Sequence, residues 1–281
     1  MKDKDFTLAI HYLFKKINKA YHKTIKDFDA EVIHDFRVDI KKLRGLLGLV
    51  NYHYNNIITL GLTKKIKTFY GYVGIVRNLQ IQQVVVQEYC HSKSLPLPEN
   101  YLHEIRKEEI YWKKQATDYM SEGNNFWEDE EQIIKDIPPQ LNEKASGKYV
   151  REKMNELDQL LPHLKKDEPL HNVRKLLKNI QYTWKFIPHS LLAAGLQNKE
   201  DVEAITNLLG QFRDKCIAIS HLQEAALASI SNQEEKELLH QVENYLRLEK
   251  LKIKKQATNL LAALLNHPAP PSLSLHSPLS I

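Results

Sequence analysis

The chain has 281 residues, of which 42% are hydrophobic and 27% are charged, and its formal net charge is +5 at pH 7. This composition is typical of a globular protein with a sizeable core, folded as one large domain or two half-domains. With so small a net charge, the electric field of the whole protein is too weak to attract a polyanion. Binding such a partner therefore requires local clusters of Lys and Arg.

The cysteines and the apolar runs indicate where the chain functions. Cys90 and Cys216 form neither a metal-ligand spacing nor a disulfide framework, which indicates a reducing compartment. The segment 1–23 is charged throughout and has no uninterrupted apolar core, so no signal peptide is predicted. Because no apolar run approaches the roughly 18 to 20 residues of a spanning helix, we expect a cytoplasmic protein.

Apolar residues recur with helical period along most of the chain. The predicted helices lie at about 3–28, 30–51, 57–92 and 99–120, and then at about 142–165, 169–188, 200–231 and 233–266. An acidic stretch around Trp127 to Asp136 ends at Pro138 and separates the two groups. Pro169 suits a first helical position, with Asp167 as its predicted cap. Residues 267–281 are rich in Pro and Ser, which predicts a disordered tail.

Two parts of the chain repeat the same residue order. The stretch IHDFRVDIKKLRGLLGLV from Ile33 aligns without gaps with LHNVRKLLKNIQYTWKFI from Leu170. Further on, VGIVRN from Val73 aligns with LGQFRD from Leu209. The offset is 137 residues in the first block and 136 in the second. One structural unit is therefore predicted twice, at about 1–122 and 138–266.

Cations recur at helical spacing within both copies. At about 100° per residue, they fall on one side of each helix, apart from the apolar face. We call these rows the basic stripes: the first is His34, Arg37, Lys41 and Arg44, and the second is His171, Arg174, Lys178 and Lys185. Spacings of three and four residues usually belong to apolar side chains, so parallel rows of cations indicate a binding surface.

Few acidic residues are available to neutralise the stripes within their own helices. Segment 169–187 contains neither Asp nor Glu, and Asp35 and Asp39 lie well around the helix from the first stripe. Cations about 5 Å apart along a helix match a repeating phosphate chain. Arg donates forked hydrogen bonds to phosphate oxygens, and Lys supplies a point charge.

Each copy also contains a glycine and an arginine at matching positions. Gly74 pairs with Gly210 in the alignment, and Arg77 pairs with Arg213. We expect each arginine to extend its stripe from a neighbouring helix that the glycine allows to come close, or else to tie helices together. Lys42 projects off the first stripe and has Asn179 as its counterpart.

Structural interpretations of the same residues remain open. A run of Lys and Arg on a helix is commonly a solvated face. Acidic residues of other helices, such as Glu104, Glu108 or Glu203, are possible partners for the stripes. His34 and His171 are candidates either for ligand contact or for capping and packing.

The pattern H-x-x-R-x-x-x-K-x-x-R, followed about 40 residues later by G-x-x-R-D/N and then repeated, resembles the CHAD family, the conserved histidine α-helical domain. The resemblance covers residues 1–266. It implies an all-α fold of two four-helix bundles related by a pseudo-two-fold, with basic residues of both halves lining a shared cavity and surface. It also implies binding of inorganic polyphosphate, often at polyphosphate granules, without catalysis.

The family's basic residues carry over to ten positions, and Lys185 is added from the stripe spacing alone, which gives eleven candidate residues. They are His34, Arg37, Lys41, Lys42, Arg44, Arg77, His171, Arg174, Lys178, Lys185 and Arg213. Asn179 and Gln181 replace expected basic residues, and Asn78 replaces the expected Asp. The second stripe is therefore weaker than the family pattern.

Three other functions compete with polyphosphate binding. A phosphohydrolase would use His34 or His171 as nucleophile or general acid. However, the sequence contains no clustered carboxylates for a metal, no Gly-rich phosphate loop and no Ser/His/Asp set, so we expect neither metal nor cofactor. A nucleic-acid-binding protein would use the same electrostatics, but it lacks a recognisable reading helix or aromatic platform. A structural adaptor is the remaining alternative.

Overall fold

The described part of the chain is helical and contains no strand. The structure is a computed structural model. It describes residues 6–54, 59–123, 141–188, 198–228 and 230–265, together with Ile57, Ile137, Leu192 and Leu196. The predicted acidic linker around 127–136 and the predicted disordered tail lie outside the described residues. The all-α prediction is confirmed.

The helices follow the predicted order. They are α1 (Phe6–Asp27), α2 (Ala30–His53), α3 (Lys64–Ser92), α4 (Glu99–Ser121), α5 (Glu143–Leu160), α6 (Asp167–Thr183), α7 (Lys199–Ala228) and α8 (Gln233–Leu265). Short 3-10 turns at Leu161–His163 and Trp184–Phe186 extend α5 and α6. Within the described residues, no helix is both long enough and apolar enough to cross a bilayer.

Two predicted helix starts differ from the structure. Helix α3 begins at Lys64 rather than near residue 57, because the Thr63 hydroxyl accepts a hydrogen bond from the Ile66 amide and caps the helix there. Helix α6 includes Asp167, so the predicted cap is wrong. The Asp167 carboxylate instead accepts hydrogen bonds from Lys250 at 2.9 Å and Lys254 at 2.8 Å, which ties the start of α6 to α8.

The buried side chains form two clusters, and both clusters draw on both halves of the chain. The larger cluster joins α1, α2 and the first part of α3 to α5, α6 and parts of α7 and α8. The smaller cluster lies where the α3–α4 hairpin meets the α7–α8 hairpin. The internal duplication and its pseudo-two-fold remain predictions, but the two halves share their hydrophobic cores.

Helices α2 and α6 pack directly against each other near the centre of the fold. Their apolar faces are fully buried, as Phe36 and Leu43 of α2 and Leu177 of α6 show. At the contact, a Cβ atom on Gly45 would lie 3.2 Å from the Cβ atom of Tyr182. The glycine therefore permits the close approach that brings the two stripe-bearing helices together.

A buried carboxylate links the two hairpins. Glu235, in the first turn of α8, is 6% exposed. It accepts hydrogen bonds of 2.7 Å from the side-chain amide of Asn100 and from the backbone N–H of Tyr101. Pro98 precedes α4 and makes no side-chain capping bond. Glu235 thus takes the place of a local cap and satisfies a free N–H group at the start of α4.

Replacing Glu235 by Ala should therefore lower the free energy of unfolding by about 2 kcal/mol, because the buried N–H of Tyr101 loses its acceptor. Urea denaturation followed by far-UV circular dichroism measures the change. Glu234→Ala is the matched control, since Glu234 is exposed in the same turn of α8. Equal unfolding midpoints for the two variants would contradict this role of Glu235.

Candidate anion-binding site

A cavity of about 1060 Å³ opens between α1, α2, α6 and α7. Its floor follows the contact of α2 with α6, and α1 and α7 form its walls. Six of the eleven predicted residues line it, three from each stripe-bearing helix: His34, Lys41, Lys42, Arg174, Lys178 and Lys185. The packing of α2 on α6 thus brings cations of both predicted copies to one site.

Arg37 lies beneath this surface and holds α2 against α3. Its Nη1 atom donates a 2.8 Å hydrogen bond to the carbonyl oxygen of Tyr70, and its guanidinium carbon is 4.2 Å from the centre of the Tyr70 ring. A Cβ atom on Gly74 would clash with the same guanidinium. The glycine therefore makes room for Arg37, whereas the sequence had suggested that it served Arg77.

Arg44 and Arg77 also lie outside the cavity lining. The Arg44 guanidinium carbon is 4.8 Å from the Tyr70 ring centre, so Tyr70 contacts two arginines of the first stripe. Arg77 donates a 3.2 Å hydrogen bond to Glu31 at the start of α2. This ion pair matches the expectation that Arg77 ties helices together.

The second half contains a similar glycine–arginine pair. A Cβ atom on Gly210 of α7 would lie 3.6 Å from Nε of Arg174. Gly210 and Arg174 align in sequence with Gly74 and Arg37. The contact is looser than in the first half, and Arg174 reaches the cavity. The two aligned arginines therefore differ in their surroundings.

His171 and Arg213 lie beside the cavity on α6 and α7. Partial burial, followed by the charges of Lys175, Arg213 and Arg174, lowers the pKa of His171 to about 4. Its imidazole is therefore neutral at pH 7 and contributes no positive charge to the second stripe. His34, in contrast, is exposed at the cavity lining.

Burial and mutual repulsion act together on the cavity lysines. The pKa of Lys41 falls to about 8, first because partial burial desolvates its ammonium group and then because Arg37, Arg174 and Lys178 are nearby. The pKa of Lys178 is also lowered, by burial and by Arg174. Both shifts mean that a protonated lysine is less favourable on the cavity floor than in water, mainly because burial desolvates the ammonium group and partly because other cations lie nearby.

Two acidic residues of α7 approach this cluster, and only one of them was expected. Asp214 and Glu203 of α7 line the cavity and attract Lys41 and Lys178, respectively. Asp214 is exposed at the cavity lining, but the protein around it desolvates its carboxylate and so raises its pKa, against the pull of the nearby cations. The sequence had named Glu203 as a possible partner but not Asp214, which belongs to the repeated G-x-x-R-D/N pattern.

Lys42 is paired within its own helix. Its ammonium group is 2.9 Å from the carboxylate of Asp39, three residues earlier, and Asp39 is buried. Asp39 was expected to be a poor partner for the first stripe, and it pairs instead with Lys42, which projects off that stripe, because a spacing of three residues brings these two side chains together. Lys42 therefore reaches the cavity already partly neutralised.

The cavity also contains residues that the stripes did not predict. Lys199 of α7, Tyr182 of α6 and Tyr12 of α1 line it. In the predicted repeat, Lys199 aligns with Leu62 or Thr63, neither of which is basic. The alignment of the two copies therefore could not identify this lysine. Among the described residues, no group of three or more His, Cys, Asp or Glu side chains is placed to hold a metal ion.

Comparison with known proteins identifies the family of this chain. The family model described as "CHAD domain" matches residues 8–223. The chain belongs to the CHAD family. The match includes both stripes and most of α7, whereas α8 lies beyond it. None of the curated proteins matches the chain in sequence.

Two solved structures have the same fold as this CHAD chain. One is the CHAD domain from the plant Ricinus communis, with a TM-score of 0.70, 16% sequence identity and coverage of 95% of this chain and 93% of that one. The other is PptA from Streptomyces chartreusis, with a TM-score of 0.64, 10% identity and coverage of 94% and 99%. At these identities the likeness concerns the fold.

Removing the partly buried charge of Lys41 should stabilise the protein. With a folded pKa of about 8 and an unfolded pKa near 10.4, Lys41 is mostly protonated in both states at pH 7, but the folded state holds the proton less tightly, so the charge opposes folding. We expect Lys41→Met to raise the free energy of unfolding by about 1 to 3 kcal/mol at pH 7.

The gain should shrink as the pH rises from 8 to 10, because folded Lys41 is by then neutral while the unfolded lysine still holds its proton. Urea denaturation at pH 7 and pH 10 measures both values. Lys67→Met on the exposed face of α3 provides the control and should show neither effect. A destabilised Lys41→Met variant at pH 7 would contradict this account of the cavity floor.

Proposed function

We propose that this CHAD protein binds inorganic polyphosphate in its cavity without hydrolysing it. A single observation carries the proposal: α2 packs on α6 and places cations of both stripes in one cavity. Polyphosphate binding is also the role that membership of the CHAD family implies. We further propose that the protein acts in the cytoplasm, at polyphosphate granules.

The electrostatics of the cavity floor support an anionic ligand. Lys41 and Lys178 have lowered pKa values, so their protonated forms are less favourable here than in water. A phosphate chain between them would remove this cost and would supply oxygen acceptors for their ammonium groups. Arg174 would add a forked donor on the same floor.

The five predicted residues outside the cavity lining divide into three groups under this proposal. Exposed Arg44 and Arg213 extend the positive surface and would contact a longer chain as it leaves the cavity. Arg37 and Arg77 act mainly on the fold, because their guanidinium groups already bond to Tyr70 and Glu31. His171 contributes shape rather than charge at neutral pH.

The histidines offer little support for a phosphohydrolase. His171 has a pKa of about 4 and would not act as a general acid at pH 7, since almost all of it is already deprotonated. His34 is exposed on α2, and none of its described neighbours is shown to orient its ring as a catalytic base requires. Incubation with polyphosphate and a divalent metal should therefore release no phosphate.

Neutralising two cavity lysines should weaken polyphosphate binding. We expect Lys178→Gln with Lys199→Gln to raise the Kd for long-chain polyphosphate at least tenfold at about 0.1 M salt, because two phosphate contacts are lost. The salt dependence of log K should also become less steep, with its slope reduced by about 1.4 for the two lost contacts, by analogy with single-stranded nucleic acids. Titration calorimetry at several salt concentrations measures both quantities.

Lys64→Gln with Lys67→Gln is the matched control, since it removes the same charge from the exposed start of α3. This control should bind polyphosphate like the native protein. Equal weakening in both double variants would show that net charge, rather than the cavity, drives binding. Single-stranded DNA serves as the competitor, and efficient displacement of polyphosphate by it would favour the nucleic-acid alternative.

A further inference from the structure

One wall of the cavity is apolar, which polyphosphate binding does not explain. Leu8, Ala9, Tyr12 and Leu13 of α1 form this wall. Tyr12 is 59% exposed and Leu8 63% exposed, although both lie beside a strongly basic floor. Inorganic polyphosphate has no apolar surface, so it would leave this wall in water. A ligand with an apolar part would remove the wall from water and gain affinity.

The opposite wall offers hydrogen-bond acceptors that polyphosphate does not need. Glu203 and Asp214 of α7 line the cavity together with the side-chain amides of Asn207 and Gln211. An ionised carboxylate only accepts hydrogen bonds. A fully ionised polyphosphate has no donors, so these carboxylates would repel it. Hydroxyl groups on a ligand would instead donate to them.

From these three surfaces we infer that the cavity takes a nucleoside polyphosphate. The phosphates would lie on Lys41, Arg174 and Lys178, the ribose hydroxyls would face Glu203, and the base would pack against Tyr12. This inference deepens the proposed function and rests on it, since the phosphates occupy the same cations. The cavity volume of about 1060 Å³ is at the upper end of sites for ligands of this size.

Tyr12 is the residue on this wall that is best suited to a base. Its ring is exposed, and the ammonium of Lys16 lies 5.1 Å from its centre. Bases stack on aromatic side chains without sequence preference, because each base has a flat face. The structure therefore predicts affinity for nucleoside polyphosphates with little discrimination among bases.

The decisive comparison is ATP against inorganic tripolyphosphate, which has the same number of phosphates but neither base nor ribose. Titration calorimetry on the full chain, with divalent cations chelated, should give a Kd for ATP at least tenfold below that for tripolyphosphate. Charge alone predicts the opposite order, because tripolyphosphate has the greater negative charge. Equal affinities, or tighter binding of tripolyphosphate, would overturn the inference.

Variants of the two walls test which contacts are responsible. Tyr12→Ala should raise the Kd for ATP about tenfold and leave that for tripolyphosphate unchanged, whereas Tyr12→Phe retains the ring and should bind both like the native protein. Tyr111→Ala removes an equally exposed tyrosine on α4 as the control. Glu203→Gln should strengthen tripolyphosphate binding and weaken ATP binding. The same shift for both ligands would contradict the placement of the ribose.

Long-chain polyphosphate separates the failure of this inference from the failure of the proposed function. If long chains bind but ATP has no advantage over tripolyphosphate, the nucleotide inference is wrong and polyphosphate binding stands. If neither long chains nor ATP bind, both are wrong. If ATP binds tightly and long chains do not, the cavity is a nucleotide site and the proposed function is wrong.

Discussion

The contact between α2 and α6 is the constraint on which the site depends. Each helix turns its apolar face to the core and carries its cations at the edge of that face, so packing the helices brings the cations together. Gly45 allows this close approach at Tyr182. Partial burial of Lys41, together with the nearby cations, lowers its pKa, so its charge opposes folding and the surrounding hydrophobic clusters must offset this cost.

The helical spacing of the apolar residues was enough to predict where most of the helices lie. The ends of α2, α4 and α7 fall within about three residues of the predicted ends, because each apolar face is local and continuous. Predictions that needed a partner from another helix were less successful. Asp167 looked like a cap for α6, but two lysines of α8 engage its carboxylate. Glu235, which satisfies the start of α4 from more than 130 residues away, gave no local signal.

The candidate site shows the same division. Spacing on a helix identified the cations of α2 and α6, and the structure brings six of these predicted residues to one cavity. Spacing did not reveal the walls, because α1 and α7 reach the cavity only through tertiary packing. Lys199 and Tyr12 therefore went unnoticed. The pairing of Lys42 with Asp39 could have been predicted from the sequence, since both residues lie on one helix three positions apart.

The aligned arginines show how similar sequences acquire different roles. Arg37 fills the space that Gly74 leaves and bonds to the α3 backbone, so its charge is used within the fold. Arg174 sits more loosely against Gly210 and opens into the cavity. The predicted duplication thus yields a cavity that is asymmetric, with an apolar wall from α1 and an acidic, amide-rich wall from α7. A symmetric basic groove would suit any polyanion, whereas two unlike walls can discriminate between ligands, because each wall favours a different chemical group.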